Sequence, residues 1–297
     1  MRLAITGATG FVGGQLVTAA LAEGHTVAAL TRRPQAERSG VTWIAGALDD
    51  PAALARLTDG AEAVIHVAGA VNAPSRAAFD QANAAGTAAL LAATPAATRF
   101  VHVSSLAARE PALSDYGASK AFAEATVTAS PQRWTIVRPP AVYGPGDLEL
   151  RDLFRLARFG LALLPPPGRL SIVHVADLAR LLLSCATGEP GRLVFEPEDA
   201  SGGISHVAFA QAIGRAVGRR VLPLPLPRAL LSLGARLDRA LRGDAAKLTP
   251  DRVGYMSHPD WTADPAKAPP RALWRPVIAT AAGLAETAAW YRSHGLL

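Results

Sequence analysis

The sequence predicts an α/β fold: a doubly wound parallel sheet followed by a smaller, mainly helical C-terminal lobe. Up to about residue 140, short β-branched runs alternate with alanine-rich stretches, the rhythm of strands joined by crossover helices. Runs such as Ala63-Val64-Ile65-His66-Val67 are apolar almost throughout, as strands buried on both faces must be. After about Asp147 that rhythm weakens and proline becomes frequent, as in Pro165-Pro166-Pro167-Gly168. Strands are expected at 2–6, 26–30, 41–44, 63–67, 99–103 and 134–138, and helices at 11–23, 51–57, 76–93 and 116–129. A helix at 176–186 and a strand at 192–195 follow, and from residue 198 onward the pattern is mostly helical with proline-rich joints. The expected division is a sheet domain over 1–164 and a lobe over 165–297, with a segment at about 170–197 returning to the core.

The bulk properties narrow the function. The chain has 297 residues, half of them apolar and 18% charged, enough for a large core and unlike a disordered chain. Cys185 is the single cysteine, so no intrachain disulfide can form, and no Cys/His cluster has the spacing of a metal site. No leader and no apolar run of membrane-spanning length is visible, and the expected localisation is cytoplasmic. The net charge of +6 is concentrated. Between 205 and 243 stand Arg215, Arg219, Arg220, Arg228, Arg236, Arg239 and Arg242 against the single acid Asp238. No aromatic platform or nucleic-acid module accompanies them, so nucleic acid is not an expected partner.

The sharpest motif is Thr6-Gly7-Ala8-Thr9-Gly10-Phe11-Val12-Gly13, directly after the first strand and opening the first helix. Gly7 allows a tight turn, Gly10 lets backbone approach a pyrophosphate, and Gly13 allows close helix–sheet packing. Thr9, Phe11 and Val12 complete a helix N-terminus whose amides can face phosphate. The Gly-x-x-Gly-x-x-Gly spacing resembles the short-chain dehydrogenase/reductase superfamily, and the length and C-terminal lobe resemble its extended branch. That resemblance implies a Rossmann-type nucleotide-binding domain over 1–164 and a substrate lobe over 165–297. The second strand ends Leu30-Thr31-Arg32-Arg33, without the acid that bonds a ribose 2′-hydroxyl. Arg32 and Arg33 can pair with a 2′-phosphate, so NADP(H) is expected rather than NAD(H). The resemblance further implies cofactor contacts at Leu48, Asp49, Ala68, Gly69, Ser104, Pro139 and Val142.

Tyr116-Gly117-Ala118-Ser119-Lys120 places a tyrosine and a lysine four apart at the start of a helix, on one face. Hydride transfer to a carbonyl leaves an alkoxide that must be protonated. A phenol of pKa about 10 is a poor base near neutrality. A nearby ammonium favours the phenolate; a lowering of ~2–3 units needs ~3–4 kcal/mol, expected from a lysine and an oxidised nicotinamide together. The resemblance implies Ser105, at the end of Phe100-Val101-His102-Val103-Ser104-Ser105, as the serine that holds the substrate oxygen. It also implies Tyr116 and Lys120 as catalytic and cofactor-binding groups. Asn83, in Asn83-Ala84-Ala85-Gly86-Thr87, matches a family motif that orders its helix or a water near the lysine. Tyr143 and His174 are expected to be packing residues, and Asp177 to cap its helix.

Sugar-nucleotide epimerases and dehydratases share these motifs, but no Asp-Glu pair follows Ser105, where Leu106-Ala107-Ala108-Arg109-Glu110 stands instead. A simple ketone reductase is the expected function, with the epimerase/dehydratase as one alternative. A non-catalytic NADPH-binding accessory subunit is another. The resemblance extends to the 3β-hydroxysteroid-dehydrogenase-like part of the branch. With it goes a bulky apolar substrate, such as a sterol or a 3-keto sphingolipid (3-oxo-ceramide). In 228–242, Leu230, Leu233, Leu237 and Leu241 form an apolar stripe beside Arg236, Arg239 and Arg242. Two readings stand open: a helix lying on the inner face of an anionic membrane, or a lobe helix with its leucines in the core. Substrate identity, direction and oligomeric state are not legible.

Overall fold

A computed structural model describes residues 1–188, 190–243 and 246–297. The sheet half runs β1 (Arg2–Thr6), α1 (Phe11–Ala22), β2 (Thr26–Thr31), β3 (Val41–Ala45), α2 (Pro51–Thr58) and β4 (Ala63–His66). It continues with α3 (Arg76–Phe79), a π-helical turn Asp80–Ala85, α4 (Gly86–Ala93), β5 (Arg99–Val103), α5 (Asp115–Thr128) and β6 (Arg133–Val137). Next come β7 (Ala141–Tyr143), α6 (Arg151–Arg158), β8 (Leu161–Leu164), β9 (Arg169–Leu170), β10 (Ile172–His174), α7 (Val175–Thr187) and β11 (Val194–Phe195). The chain closes with β12 (Ile204–Ser205), α8 (His206–Val217), β13 (Leu222–Pro225), α9 (Arg228–Arg242), α10 (Pro250–Met256), β14 (Asp260–Trp261) and α11 (Thr280–Ser293).

The main sheet has seven parallel strands in the order β11-β6-β5-β4-β1-β2-β3. The chain winds outward from β1 to β3, then restarts at β4 and winds the other way. The switch point therefore lies between β1 and β4, where such sheets open a ligand crevice. Alternation along the strands divides the core. Leu3, Ile5, Ile65 and Val101 face α1 and α7, packing on Leu16, Val17, Leu178 and Leu182. Ala4, Val64, Phe100 and Ile136 face α2, α4 and α5. Each buried leucine contributes about 1.5–3 kcal/mol, and the two layers hold the sheet between them. β3, with no fully buried residue, is one edge of the sheet, and β11 is the other. This is the Rossmann-type doubly wound sheet, with the smaller lobe around a second cluster of Tyr143, Phe154, Ile213, Leu284 and Tyr291.

Several local expectations change. The helix expected over 76–93 is interrupted by the π-helical turn, which absorbs one extra residue. β7 was not anticipated; it pairs in parallel with β10. Asp177 does not cap α7. His174 does, through Nδ1 accepting the Ala176 amide at 3.3 Å, while Asp177 accepts the Val277 and Ile278 amides at 3.0 Å each. The lobe holds short strands as well as helices. Leu222-Pro223-Leu224-Pro225 pairs with β8 because the prolines fall where no ladder donor is needed; the Leu222 and Leu226 amides bond Gly160 and Leu164.

Candidate active site

The glycine turn is wedged at the switch point. Gly7 has φ +72°, and a Cβ there would stand 2.7 Å from the Ala68 amide nitrogen. A Cβ on Gly13 would stand 2.0 Å from the Gly7 carbonyl oxygen. Gly10 is the N-cap of α1 and supplies no side chain to it. The first-turn amides, from Phe11, Val12 and Gly13, thus open toward the crevice uncapped by any side chain. That is the arrangement that accepts a pyrophosphate. Thr9 is exposed beside them, Val12 packs on the core, and the Phe11 ring lies against Gly146. These residues fit a nicotinamide dinucleotide.

The other expected contacts follow along the strand ends. Arg32 and Arg33 are exposed just past β2, on a turn held by Thr31, whose hydroxyl donates to the Arg33 carbonyl at 2.6 Å. Asp49 is exposed, and Leu48 packs closely on Gly86. The Ala68 amide donates to Thr6 Oγ1 at 3.2 Å. Pro139 is buried with its carbonyl taken by the Leu106 amide, and Val142 packs on the core. The buried Ser104 hydroxyl donates to Glu124 at 2.5 Å.

The residues expected to transfer the proton meet at the end of β5. The N-terminus of α5 is capped by Ser114, which accepts the Gly117 amide at 2.9 Å. Within the first turn, Tyr116 shares a hydrogen bond with the Ser105 side chain. One turn further, Lys120 Nζ donates to the Val103 carbonyl at 2.8 Å, and Glu124 follows one turn on. A Cβ on Gly69 would come within 2.9 Å of Asn83 Oδ1 and 3.5 Å of Lys120 Nζ. Glycine turn, Ala68-Gly69, Lys120 and the Ser105–Tyr116 pair therefore form one contiguous wall. Asn83 sits on the π-helical turn with every side-chain bond committed. It accepts the Ala70 amide at 2.7 Å and donates to the Ala70 carbonyl and to Ser119 Oγ. It positions the loop after β4 against α5.

Burial, rather than Lys120, governs the tyrosine. Desolvation pushes the Tyr116 phenol up to about 12; the Ser105 hydrogen bond pulls it down, and neighbouring Tyr255 pushes it up. The expected lowering by Lys120 is absent, because that ammonium is turned to the Val103 carbonyl. Lys120 itself is drawn down to about 8 by burial, against the opposing pull of Glu124. Near neutrality the pair is a protonated phenol beside a mostly charged ammonium. It is set to give a proton.

Sequence reasoning missed the supports. From the lobe, Asp251 accepts the Asp115 amide at 2.5 Å and also the Tyr116 amide. A Cβ on Gly254 would lie 2.2 Å from the Leu113 carbonyl oxygen, so α10 presses on the segment before α5. Tyr255 and Phe79 each stand 6.0 Å from the Tyr116 ring centroid. Behind α5, Glu124 takes two bonds from Arg138, whose other arm reaches the fully buried Glu196. Arg109 and Lys267 also meet Glu196. Each carboxylate in this buried network has a cationic partner.

Behind the wall runs an ordered chain of hydrogen bonds. Thr87 gives its hydroxyl proton to the Asn83 carbonyl at 2.6 Å, so it can only accept from His66 Nε2, 2.9 Å away. His66 Nδ1 then accepts from Thr6, 2.7 Å away, which accepts from the Ala68 amide. Only the neutral imidazole fits this sequence. Burial, then the Lys120 charge, hold His66 down to about 3 against an ordinary 6.5. The fold thus binds fewer protons than the unfolded chain. Its stability is whole above pH 6.5 and is lost as pH falls toward 3. Urea unfolding should show about 3 kcal/mol less stability at pH 4 than at pH 7 from this residue alone. A flat profile over that range would contradict the assignment.

Known proteins resemble the chain over most of its length. Residues 3–187 match the NAD dependent epimerase/dehydratase family. The ceramide reductase of Caulobacter vibrioides (strain NA1000 / CB15N) is 38% identical, over 99% of this chain and 96% of its own. A 4-hydroxy-2-methyl-3-oxo-4-farnesyl-3,4-dihydroquinoline-1-oxide ketoreductase of Stigmatella aurantiaca is 31% identical, over 81% of this chain and 82% of its own. Among solved structures, MoeE5 in complex with UDP-glucose and NAD superposes with a TM-score of 0.75 at 23% identity, covering 99% of each chain; at that identity it speaks for the fold. The chain belongs to the NAD dependent epimerase/dehydratase family, with the extended short-chain dehydrogenase/reductase fold.

Proposed function

We propose that the protein is an NADP(H)-dependent reductase of a ketone on a bulky apolar substrate, with a 3-keto sphingolipid (3-oxo-ceramide) ahead of a sterol. The observation that carries it is the protonated Tyr116, bonded to Ser105 and flanked by the aromatic rings of Phe79 and Tyr255. The names of the two relatives support the same substrate class.

When bound, the nicotinamide supplies the hydride. Gly7, Gly10 and Gly13, with the amides of Phe11 and Val12, would hold the pyrophosphate. Arg32 and Arg33 would hold a 2′-phosphate, and Leu48, Asp49, Ala68 and Gly69 would line the adenosine side. Pro139, Val142 and the backbone of Ser104 would bound the opposite end, and Lys120 would hold the ribose. Ser105 Oγ would donate to the carbonyl oxygen, and Tyr116 Oη would deliver its proton to that oxygen. In this reading 1–164 is the cofactor domain and 165–297 the substrate lobe, with 170–197 returned to the core. The protein would work in the cytoplasm, touching a membrane peripherally through 228–242.

Purified protein given NADPH and 3-oxo-ceramide in mixed micelles should oxidise the cofactor. If no ketone supports oxidation, the reductase is excluded. UDP-sugar conversion in its place would favour the epimerase, and NADPH binding without any turnover the accessory subunit. Cofactor choice has its own test. Arg32→Asp combined with Arg33→Ser should weaken NADPH binding about tenfold or more and leave NADH nearly unchanged, since each guanidinium bond to phosphate is charge-assisted. Equal loss for both cofactors would remove the 2′-phosphate assignment.

A further inference from the structure

We propose that the lobe docks on an anionic lipid bilayer through two consecutive apolar elements, the β8–β13 ladder and the outer face of α9. This deepens the reading of a lipid-like substrate and rests on it. In α9 the stripe of Leu230, Leu233, Leu237 and Leu241 faces outward, with its leucines 52% to 85% exposed. The core-facing positions are Leu231 and Ala235, packed with Leu226, Leu248 and Val253. The alternative of a lobe helix with that stripe in the core is thereby corrected. More leucine lies outside than inside, the reverse of what an ordinary surface helix shows.

The ladder repeats the pattern. Its register sets Leu222 beside Leu161 and Leu224 beside Leu163. All four are exposed, while Ala162 and Leu164 between them turn inward onto Ala210. Phe159, 73% exposed, stands just before the ladder. β13 then runs into α9 with two residues between. Exposed apolar area of this extent marks an interaction surface.

Charge identifies the occupant. Arg158 lies over the Phe159 ring at 5.5 Å. Arg219 and Arg220 precede β13, and Arg228, Arg236 and Arg242 lie on α9, all exposed. The one acid among 205–243, Asp238, is committed to the Lys247 and Leu248 amides and to Arg242. Arg242 is paired with Asp238, but the cations on this face still outnumber its acids; an apolar face set among a net positive charge suits a surface that is apolar in depth and anionic at its boundary. A second copy of this chain would bring the same positive charge against itself across a two-fold contact. The docking face is also one helix from the site. α10 packs on α9 through Val253 and carries Asp251 and Tyr255 to Tyr116. A substrate leaving the bilayer would enter beside the proton donor.

Vesicle flotation tests this with the whole protein and no turnover. The protein should float with vesicles containing phosphatidylglycerol and stay behind with pure phosphatidylcholine. Arg219→Ser with Arg220→Ser should weaken binding by about fivefold per arginine. Leu233→Ser, Leu237→Ser and Leu241→Ser together should lower it at least about tenfold, with NADPH binding and the unfolding midpoint unchanged, because these side chains support no core. No flotation of the unaltered protein, or unchanged flotation of the leucine variant, overturns the proposal. So does a leucine variant that converts an oligomer to a monomer. Flotation without ketone reduction keeps the docking surface and removes the reductase; reduction without flotation does the opposite.

Discussion

Tyr116→Phe should lower kcat for ketone reduction by about 10²–10⁴, the usual contribution of a positioned general acid, while NADPH binds within a fewfold of its normal affinity. Only the hydroxyl is removed, and the ring keeps its neighbours Phe79 and Tyr255. Single-turnover mixing of the enzyme–NADPH complex with ketone separates the chemical step from product release. Retention of most of the rate would remove Tyr116 from the reaction. The pH profile adds an independent sign. The phenol titrates up at about 12 and Lys120 at about 8. The alkaline fall of kcat/KM in reduction should therefore begin near pH 8, as Lys120 loses its charge, with Tyr116 still protonated. Lys120→Arg should carry that limb upward, because a guanidinium stays charged throughout.

Gly13→Ala should weaken NADPH binding more than about a hundredfold and destabilise the fold by about 1–3 kcal/mol, the range for overpacking a closed site. The added methyl would meet the Gly7 carbonyl at 2.0 Å and the Gly7 carbonyl carbon at 2.6 Å, both backbone atoms that no rotamer change can clear. Nor can the turn retreat, since Gly7 already abuts the Ala68 backbone. The next residue gives the control. A Cβ on Gly14 would find only the Ala8 carbonyl oxygen, at 3.8 Å. Gly14→Ala should therefore stabilise α1 by up to about 1 kcal/mol and leave binding intact. Isothermal titration with NADPH and thermal melts of the two variants decide it; equal behaviour would mean the glycine turn is not the cradle.

What the sequence made legible was local. β1, β4 and β5 are buried on both faces, so each is an apolar run that composition alone reveals. The glycine turn and the Tyr116/Lys120 pair depend on spacings of a few residues along one turn or one helix face. The supports of the site are distant instead. Asp251 meets Asp115 across 136 positions, and no residue near either announces the other. The π-helical turn escaped because it adds one residue to an otherwise regular helix, and alanine-rich sequence tolerates either form. The α9 stripe shows a different limit: periodicity established that one face is apolar but not that it is the outer one. β13 lies in a stretch that reads as a proline-rich joint, and only the ladder with β8 shows which amides it needs.

The order in which the main sheet is completed bears on how the chain comes into being. α1 packs beneath α7, and β11 covers the β6 edge, yet both later elements lie beyond β7, α6 and β8 to β10. A nascent chain emerging from the ribosome has its glycine turn, tyrosine and lysine in hand while Leu16, Val17 and the flank of β6 are still bare. It can close that layer only after Phe195 has cleared the exit tunnel. Fragments ending near residue 164 should bind chaperones, or one another, before they bind nucleotide.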